Sequence, residues 1–520
     1  MFNIAIYTGH NASITLAKNG QVLEIVEIER FTNTKNAGLL WYIPAYEPLE
    51  VISRILQYFK IKYKATRYLN LIANQDDIRA LSRLLDSEKG ILKYFSAEKL
   101  IEVFHQEGHA AGAFYQSDLY DAIIISFDGG GNDGCYNYYS CNRKNGLKLI
   151  DKNYDYNIGE KYAEIGHHCN SIRKDTWLNA YLVYAGKLMG LAGYGEVVEE
   201  YVDVLQEYYK GHHMTKQTRY ENYKYLKDKL KLPDELSGEL EKNIVRTSQH
   251  VFEDIFMNTT THIREIANNN LILTGGCALN ILNNTAVNNQ IKTFVPPNPN
   301  DCGLSLGFML HYLQPSEQVD VTYKGPEVWD KQTLSEHLYN TNASIDTDRL
   351  IEDLLKGSII GIVNEGSEIG PRALGNRSII CYPGIEDMKG ILNEKVKNRE
   401  YYRPFAPVVR LEDVNKFFEF NQESRWMSFS PKVRPEYKDK LKPITHVDDT
   451  ARVQTVTQGQ NEYLYELLTK LDEKTGIGVL LNTSFNVAGK PILNTYRDAF
   501  YLLENTRLDG LVLEKYYIKK

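Results

Sequence analysis

The sequence has few cysteines and lacks any pair of them at metal-binding spacing. Six cysteines are spread over 520 residues, and none forms Cys-x-x-Cys, so neither a zinc ribbon nor a disulfide framework is predicted. Scattered thiols in a large chain are typical of a reducing compartment. The apolar runs, such as 122–126, are strand-sized, and the first residues turn polar at Thr8 without a signal-peptide pattern. We therefore expect a cytoplasmic protein with no membrane partner.

A large excess of one charge is also missing. Lys and Arg number 60 against 67 Asp and Glu, which gives a net charge of -7. This excludes a surface that is basic throughout, although a local basic groove for nucleic acid stays open. The hydrophobic share of 43% is that of a globular protein, and the length predicts two or three domains.

Strand and helix patterns alternate in both halves, which predicts an α/β protein. The chain opens with strands at 3–7, 13–17 and 21–28, and Asn19-Gly20 predicts a hairpin between the last two. Residues 47–104 and 175–268 are predicted to be mostly helical. Further strands are predicted at 122–127, 271–273, 359–363, 477–481 and 511–513, and further helices from Ala278 and at 348–356, 464–471 and 497–503. The polar, Pro- and Gly-containing stretch 314–330 predicts a domain boundary.

Two histidines and a carboxylate are candidates for a metal site. His105 and His109 are four residues apart, so on a helix they share one face, as helical zinc ligands do. The alternative is a pair of surface histidines. Asp128 favours the site, because it ends a predicted strand beside Gly129, Gly130 and a third glycine, where α/β sheets bind ligands. These glycines also let backbone N–H groups approach a phosphate.

Two later loops extend this pattern. Gly275 and Gly276 follow a predicted strand and precede a helix, whose N-terminus favours an anion. Asp301 is a carboxylate in a Pro- and Asn-rich loop before an apolar helix, and its alternative role is N-capping. Together with the histidine pair, the loops predict a composite nucleotide and metal site.

Arginines are concentrated among loop residues of the second half. Arg372, Arg377, Arg399 and Arg403 alternate with Gly, Pro, Leu and Phe rather than with Glu and Lys. This spacing favours a binding role over a solvated charge run, because guanidinium groups bind phosphate and carboxylate oxygens bidentately.

Other polar residues of the second half could join the arginines. Lys397 and Arg399 lie two apart, so on an extended segment both would point to the same side. Ser484 and Asn486 follow a predicted buried strand. Three more residues fit either a site or an ordinary surface: His446, Arg452 and Gln454.

A basic, tyrosine-rich stretch at 208–231 is a candidate for nucleic-acid binding. It mixes lysines and Arg219 with Tyr208, Tyr209, Tyr220, Tyr223 and Tyr225, and such interleaving can bind bases by stacking and phosphates by charge. The alternative is a solvated helix face, which is the more common outcome.

The motifs resemble those of the NodU/CmcH-type O-carbamoyltransferases, the group of the tobramycin and nodulation-factor carbamoyltransferases. The resemblance spans nearly the whole chain. The matching segments are Gly9-His10-Asn-Ala-Ser, Glu29-Arg30-Phe31, His105-x-x-x-His109, Phe127-Asp128-Gly-Gly, Gly186-Lys-Leu-Met-Gly-Leu-Ala-Gly-Tyr-Gly, Thr274-Gly-Gly-Cys-Ala-Leu-Asn280, Gly370-Pro-Arg-Ala-Leu-Gly-Asn-Arg-Ser-Ile, Lys397-x-Arg399-Glu, Arg403-Pro-Phe-Ala-Pro and Asn482-Thr-Ser-Phe-Asn.

This resemblance implies two domains. An actin-like ATPase-fold domain of the ASKHA, TsaD-like type would occupy residues 1–325, and a YrdC-like α/β domain residues 326–520. The second domain would form carbamoyl-adenylate from carbamoyl phosphate and Mg-ATP. The first would then transfer the carbamoyl group to an acceptor hydroxyl.

The resemblance also implies roles for individual residues. His105, His109, Asp128 and Asp301 match metal ligands, and two His with two carboxylates suit iron, manganese or zinc. His10 matches the general base, while Lys397 and Arg399 match a catalytic Lys-x-Arg pair. The remaining matches are expected to bind nucleotide or carbamoyl groups: Gly129, Gly130, Gly275, Gly276, Asn280, Arg372, Arg377, Arg403, Ser484 and Asn486.

Two departures bear on the acceptor. Asn11 replaces the aspartate that commonly follows His10, and Phe31-Thr-Asn-Thr-Lys-Asn-Ala-Gly replaces a Lys-His-Asp-type run. The acceptor is therefore expected to differ from an aminoglycoside. A sugar or natural-product hydroxyl is the first expectation, and a hydroxymethylpyrimidine nucleotide or DNA base is the second. Two alternative functions stay open at this point, a tRNA threonylcarbamoyl-type modification protein and an actin-fold sugar kinase.

Overall fold

The computed structural model describes residues 1–40, 47–173, 180–211, 216–338, 346–514 and 516–520. The chain forms two compact units, Met1–Lys324 and Gly325–Lys520. Both units combine helices with sheets, so the prediction of a mixed α/β protein is confirmed. Within the described ranges, no helix has both the length and the apolar character that crossing a membrane requires.

The first unit opens with a five-stranded sheet in the order β3-β2-β1-β4-β5. Asn19 and Gly20 both have positive φ between β2 and β3, as a tight hairpin turn requires, and the predicted hairpin is confirmed. Because β4 runs parallel to β1, their carboxyl ends lie together. The strands are β1 (Phe2–Tyr7), β2 (Ser13–Lys18), β3 (Gln21–Glu27), β4 (Tyr68–Ala73) and β5 (Ala97–Glu102).

A second five-stranded sheet of this unit has the order β10-β9-β6-β7-β8. Its members β6 and β9 are parallel neighbours, so Asp128 and Gly275, which follow them, lie at the same edge. The strands are β6 (Asp121–Phe127), β7 (Tyr136–Asn142), β8 (Gly146–Lys152), β9 (Leu271–Thr274) and β10 (Thr293–Phe294).

Two helices of the first unit touch backbone to backbone. A Cβ on Gly307 in α13 would lie 2.0 Å from the backbone oxygen of Gly108 in α5, so only glycine permits the contact. It joins the helix that begins at His105 to the helix that follows Asp301. The helices are α1 (Ile28–Thr32), α2 (Pro48–Tyr63), α3 (Gln75–Leu84), α4 (Glu88–Phe95), α5 (His105–Gln116), α6 (Ile158–Ile165), α7 (Tyr184–Ala192), α8 (Glu199–Tyr209), α9 (Lys216–Leu230), α10 (Gly238–Thr259), α11 (Thr261–Ile266), α12 (Ile281–Asn288) and α13 (Leu304–Leu313).

The second unit is built on a seven-stranded mixed sheet in the order β14-β13-β15-β12-β11-β16-β17. Leucines of α15 and α18 pack with the isoleucines and valines of the sheet into one apolar core. The strands are β11 (Ile360–Val363), β12 (Arg377–Cys381), β13 (Ala406–Arg410), β14 (Gln454–Val456), β15 (Val479–Ser484), β16 (Gly510–Leu513) and β17 (Tyr516–Lys519). The helices are α14 (Lys331–Leu338), α15 (Thr347–Leu355), α16 (Met388–Ile391), α17 (Val414–Phe417), α18 (Glu462–Thr475) and α19 (Tyr496–Asn505), and a π-helical turn, Leu392–Lys397, continues α16.

Three expectations about local structure need correction. Residues 47–104 include the strands β4 and β5 as well as helices, because short apolar runs do not separate strand from buried helix. The helix expected from Ala278 begins at Ile281, since the side chain of Asn280 accepts a hydrogen bond from the Asn283 N–H and caps it. Lys397 and Arg399 do not share an extended segment: Lys397 ends the π-helical turn, and Asn398 after it has a φ of 48°.

The remaining predicted elements are present within four residues of the expected bounds. Residues 175–179 and 212–215 of the predicted helical region lie outside the described residues.

Candidate functional site

Four residues of the first unit bring ligand atoms together. His105, His109, Asp128 and Asp301 each offer one atom, and these atoms lie within 4.8 Å of one another. Nε2 of His109 is 3.0 Å from Oδ2 of Asp128 and 3.4 Å from Oδ1 of Asp301. Nε2 of His105 is 3.6 Å from the same Oδ1. The predicted histidine pair therefore converges with both predicted carboxylates.

The loop after Asp128 positions the two histidines. Oδ1 of Asn132 accepts a hydrogen bond from the backbone N–H of His105 at 3.0 Å, and Oδ1 of Asp133 accepts one from Gln106 at 2.9 Å. These bonds satisfy N–H groups at the start of α5, which have no partner inside the helix. A Cβ on Gly131 would lie 2.8 Å from the ring of His105, so the glycine leaves the space that the imidazole occupies.

The glycine loops hold the Asp128 carboxylate. The backbone N–H of Gly129 donates to Oδ1 of Asp128, and the N–H of Gly276 donates to Oδ2 at 2.9 Å. Gly275 has a φ of +87°, and a Cβ there would lie 2.3 Å from the backbone oxygen of Phe127. Two of the N–H groups expected to face a phosphate thus bind this carboxylate instead.

Asn280 has structural contacts. Besides capping α12, it exchanges side-chain hydrogen bonds with Gln249 at 3.0 and 3.2 Å. Its amide is therefore occupied within the fold. Gly130 lies between Gly129 and Gly131 in the loop that follows Asp128.

Asp301 does not cap a helix. Neither the short helical turn that begins at Asp301 nor α13 has a side-chain hydrogen bond at its N-terminus. Its two carboxylate oxygens have different neighbours. Oδ1 faces the two histidines, whereas Oδ2 accepts a hydrogen bond from the hydroxyl of Tyr7 and lies 3.4 Å from Nε2 of His10.

The donor set fits a divalent transition metal. Among the described residues, Nε2 of His105 and of His109 are buried without a hydrogen bond of good geometry. Buried polar atoms of this kind normally have a partner, and two imidazoles with two carboxylates suit iron, manganese or zinc. The converging atoms therefore meet the requirements of the predicted metal.

Charge coupling in the cluster is strong. Burial lowers the pKa of His105. Burial also acts to lower the pKa of His109, but Asp128 and Asp301 outweigh it and raise that pKa to about 9. Burial alone would raise the pKa of Asp301, yet His10, His105 and His109 hold it well below its usual range. The carboxylate is thus ionised and available to a cation.

His10 lies in the loop after β1, and its ring is fixed on both sides. Nδ1 is 3.1 Å from Oδ1 of Asn11, whose Nδ2 donates to Oδ1 of Asn36 at 3.4 Å. Oδ1 of an amide only accepts, so Nδ1 is the donor in this contact, while Nε2 faces Oδ2 of Asp301 at 3.4 Å. Asn11 and Asn36, which belong to the two departures from the resembled pattern, are therefore in contact with each other.

In the second unit, Lys397 is brought together with Ser484 and Asn486. Its Nζ donates to the backbone oxygens of Ser484 and Asn486 at 2.6 and 2.8 Å. It also lies 2.6 Å from Oδ1 of Asn486 and 3.3 Å from Oγ of Ser484. The end of the π-helical turn and the end of β15 form one polar cluster.

Four arginines of the second unit influence one another. Burial and repulsion from Arg403 lower the pKa of Arg372 to about 10. Burial and Arg403 likewise lower the pKa of Arg399, and burial with Arg372, Arg399 and Arg403 lowers that of Arg452. A carboxylate oxygen of Glu400 lies 3.7 Å from Arg403. The cluster therefore brings several positive charges close together.

Two members of this cluster have no partner. Within the described residues, neither Arg372 nor Arg452 makes a hydrogen bond or an ion pair, and Nε of Arg452 is fully buried. Arg399 is oriented by Oδ1 of Asn393 at 2.8 Å and lies 4.2 Å from the centre of the Phe405 ring. Guanidinium groups remain protonated in proteins, so this arrangement favours an anion as the missing partner.

Arg377 is separate from the cluster. Its fully buried guanidinium donates to the backbone oxygens of Asn364, Glu365 and Asn376 and to Oδ1 of Asn494, at 2.6 to 3.2 Å. All of its donors therefore serve the fold. The two arginines of the same sequence motif, Arg372 and Arg377, have different environments.

The loop that carries Arg372 is shaped by a buried carboxylate. Oε1 of Glu368 accepts hydrogen bonds from the backbone N–H groups of Leu374, Asn376 and Arg377 at 2.6 to 3.0 Å.

Some residues near the two candidate sites were not predicted from the sequence. Sequence patterns offered a weak signal for Arg452 and none for Tyr7, which ends an apolar strand. Lys389, whose pKa is lowered by burial and by Arg399, was also not predicted.

The tyrosine-rich stretch shows little of the predicted stacking surface. Tyr208 and Tyr209 are buried, with hydroxyls bonded to the backbone of Lys161 and to Ser248. Tyr223 stacks on His168. The side chains of 216–220, including Arg219 and Tyr220, lie outside the described residues.

Comparison with known proteins gives the family. The family model described as "Carbamoyltransferase N-terminus" matches residues 55–310, and "Carbamoyltransferase C-terminus" matches residues 351–520. Nodulation protein NolNO of Sinorhizobium fredii is 30% identical over 98% of this chain and 79% of its own length. The 3'-hydroxymethylcephem-O-carbamoyltransferase of Amycolatopsis lactamdurans is 31% identical over 63% of this chain and 64% of its own. The crystal structure of HypF from T. kodakarensis covers 60% of this chain and 48% of HypF, with 14% identity and a TM-score of 0.38. The chain therefore belongs to the carbamoyltransferase family and is a carbamoyltransferase.

Proposed function

We propose that this carbamoyltransferase uses ATP and carbamoyl phosphate to carbamoylate an acceptor hydroxyl in two stages. In the first, water cleaves carbamoyl phosphate to carbamate and phosphate, and a carbamate oxygen attacks the α-phosphorus of Mg-ATP. Carbamoyl-adenylate forms and pyrophosphate leaves. In the second, the acceptor oxygen attacks the carbamoyl carbon and AMP leaves. We assign the first stage to a YrdC-like unit at 325–520 and the second to an actin-like unit at 1–324.

The observation that carries this proposal is the arginine cluster. Arg372 and Arg452 have no anionic partner among the described residues, and Arg399 and Arg403 add positive charge beside them. Such a cluster is suited to several phosphate oxygens at once, because each guanidinium can bind two oxygens. ATP and carbamoyl phosphate together supply that negative charge.

Lys397, Ser484 and Asn486 would act beside the arginines. They offer an ammonium, a hydroxyl and an amide at one point. Charge that develops on phosphate oxygens in the transition state is stabilised by donors held in advance. In this structure the Nζ donors of Lys397 are used on oxygens of Ser484 and Asn486, so a phosphate oxygen would replace one of these acceptors when substrate binds.

In the first unit, His10 would act as the general base that removes the proton from the acceptor hydroxyl. His105, His109, Asp128 and Asp301 would hold the metal, which supplies positive charge to the phosphate of the leaving AMP. Oδ1 of Asp301 lies 3.6 and 3.4 Å from Nε2 of His105 and His109. At these distances the carboxylate would join the ligand set without a hydrogen bond of good geometry to either ring.

A small-molecule hydroxyl is the proposed acceptor. The relative from Amycolatopsis lactamdurans is named for carbamoylation of a hydroxymethyl group on a cephem, and a primary hydroxyl is a fitting class here. The inward packing of Tyr208 and Tyr209 removes these two rings from a stacking surface for nucleic acid. Incubating the enzyme, ATP and carbamoyl phosphate with extracts and searching by mass spectrometry for the gain of one carbamoyl group would identify the acceptor.

The decisive test of the first stage is ATP–pyrophosphate exchange that depends on carbamoyl phosphate. We expect exchange by the native chain and a loss of on the order of a hundredfold in Arg452→Gln, because one charged donor to the transition state is removed. Arg507→Gln is the matched control, since Arg507 is an exposed partner of Asp509. Exchange that is absent from the native chain, or that Arg452→Gln leaves unchanged, would contradict the assignment.

A further inference from the structure

The Asp301 carboxylate is shared between two sets of groups. Its Oδ1 lies 3.4 Å from Nε2 of His109 and 3.6 Å from Nε2 of His105. Its Oδ2 accepts the hydroxyl hydrogen of Tyr7 and lies 3.4 Å from Nε2 of His10. A carboxylate without such a bond could turn about its side-chain torsion and exchange the two oxygens.

Tyr7 is built into the wall of this cluster. It is the last residue of β1, and it is only 7% exposed. Its ring meets the ring of His105 edge to face, with centroids 5.9 Å apart, and packs against Phe308 of α13 at 6.5 Å. One side chain therefore contacts a histidine and a carboxylate of the candidate metal site.

The neighbouring glycine leaves room for this tyrosine. A Cβ on Gly9 would lie 2.3 Å from the hydroxyl oxygen of Tyr7 and 2.6 Å from its Cζ. Gly9 is not among the glycines with positive φ, so its backbone conformation does not require glycine. The space that the Tyr7 ring occupies is the reason that a side chain is excluded at position 9.

We propose that Tyr7 is a positioning residue of the metal centre, which fixes Oδ2 of Asp301 so that Oδ1 is presented to the ion. The inference rests on the proposed metal at His105, His109, Asp128 and Asp301. A partner hydrogen-bonded to a ligating carboxylate restricts its orientation, and loss of such partners typically weakens metal binding about 10- to 100-fold. Gly9 contributes because its lack of a side chain leaves the space that the Tyr7 ring occupies.

The first test compares metal affinity in two tyrosine variants of the full chain. Affinity for Mn²⁺ and Zn²⁺ is measured by competition with a chelating indicator. We expect Tyr7→Phe to bind either ion about 10- to 100-fold more weakly, with one ion still bound at saturation and with pyrophosphate exchange unchanged. Tyr209→Phe is the matched control, because Tyr209 is also a buried tyrosine and its hydroxyl is hydrogen-bonded to Ser248 at 2.6 Å. It should bind metal as the native chain does.

The results separate the inference from the function on which it rests. If the native chain binds neither ion tightly, the proposed metal site itself is contradicted. A native chain that binds metal, with equal affinity in Tyr7→Phe, would leave Tyr7 a packing residue and overturn the proposal. With ferric ion bound, a visible tyrosinate charge-transfer band that disappears in Tyr7→Phe would make Tyr7 a ligand, which also overturns it.

A second test uses the contact between Gly9 and Tyr7. Gly9→Ala should weaken metal binding in the native background, because the new methyl group displaces the Tyr7 ring. In a Tyr7→Ala background the ring is absent, so adding Gly9→Ala should weaken binding no further. Equal losses in both backgrounds, or no loss in the native one, would contradict the positioning role.

Discussion

The two candidate sites of this carbamoyltransferase differ in how their charges are balanced. In the first unit, two carboxylates face histidines, and the groups stabilise one another. In the second unit, four arginines repel one another, and Arg372 and Arg452 have no hydrogen-bond or ion-pair partner within the described ranges. The first arrangement favours a cation and the second an anion. Charge balance thus distinguishes a metal centre from a phosphate site before any ligand is considered.

Removal of metal ligands should have the largest effect. We expect the double variant His105→Ala/His109→Ala to lose bound metal and acceptor transfer, since half of the donor set is gone. Carbamoyl-phosphate-dependent pyrophosphate exchange should remain, because the second unit is untouched. Metal analysis and the two assays, with exchange as the folding control, check this. Full metal occupancy in the double variant would disprove the ligand assignment.

Lys397→Ala should impair the activity proposed for the second unit. Loss of a buried charged donor costs about 2–4 kcal/mol of transition-state stabilisation, which is roughly a thirty- to thousandfold loss of exchange. Acceptor carbamoylation should survive when carbamoyl-adenylate is supplied directly. Lys395→Ala is the control, because Lys395 is exposed beside Glu394. If the folded, metal-loaded Lys397→Ala fails with supplied adenylate, the two stages are not divided as proposed.

His10→Ala sharpens the assignment of the first unit. A general base typically contributes about 10²- to 10⁴-fold, so transfer should fall within that range while metal content and exchange stay at native levels. His250→Ala provides a comparison, since His250 pairs with Asp254 on an exposed helix face. An unchanged transfer rate would leave His10 a structural residue.

The smallest expected effect comes from substitution of Asp77, and it concerns the stability of the fold. Burial raises the pKa of Asp77 from 3.8 to about 7, although hydrogen bonds from Thr8 oppose the shift. The folded state therefore favours the protonated form, and ionisation destabilises the fold increasingly as pH rises from about 4 to 7. Asp77→Asn removes this penalty, so its melting temperature relative to the native chain should increase across that range. A pH-independent difference would contradict the shift.

Local patterns predicted those parts of the fold in which neighbouring residues decide the structure. The turn at Asn19-Gly20 depends on two positive φ values that these residues adopt readily. β4 depends instead on pairing with β1, and its short apolar run is equally compatible with a helix. The left-handed conformation of Asn398 was likewise not predictable, and the expectation of an extended Lys397-Arg399 segment was wrong for that reason.

The candidate sites follow the same rule. His105, His109 and Asp128 could be selected because a helix face and a strand end carry them, whereas Asp301 was assigned to the metal through the family resemblance. Arg452 could not be separated from ordinary surface residues, because its neighbours Arg372, Arg399 and Arg403 are distant in sequence and meet it only in the fold. Arg377 matches a specific motif, yet its donors are consumed by backbone oxygens. A motif can therefore contain residues that serve the fold as well as residues that bind a ligand.

The glycine contact between α5 and α13 has a consequence for the metal site. A Cβ at Gly307 would lie 2.0 Å from a backbone atom rather than from a side chain that could rotate away. Any larger residue there would act as a wedge and move two whole helices apart. One of these helices carries both histidines, and the other follows Asp301. The spacing of the four candidate ligands therefore depends on a main-chain contact, and a single methyl group on Gly307 could widen it without touching any of their side chains.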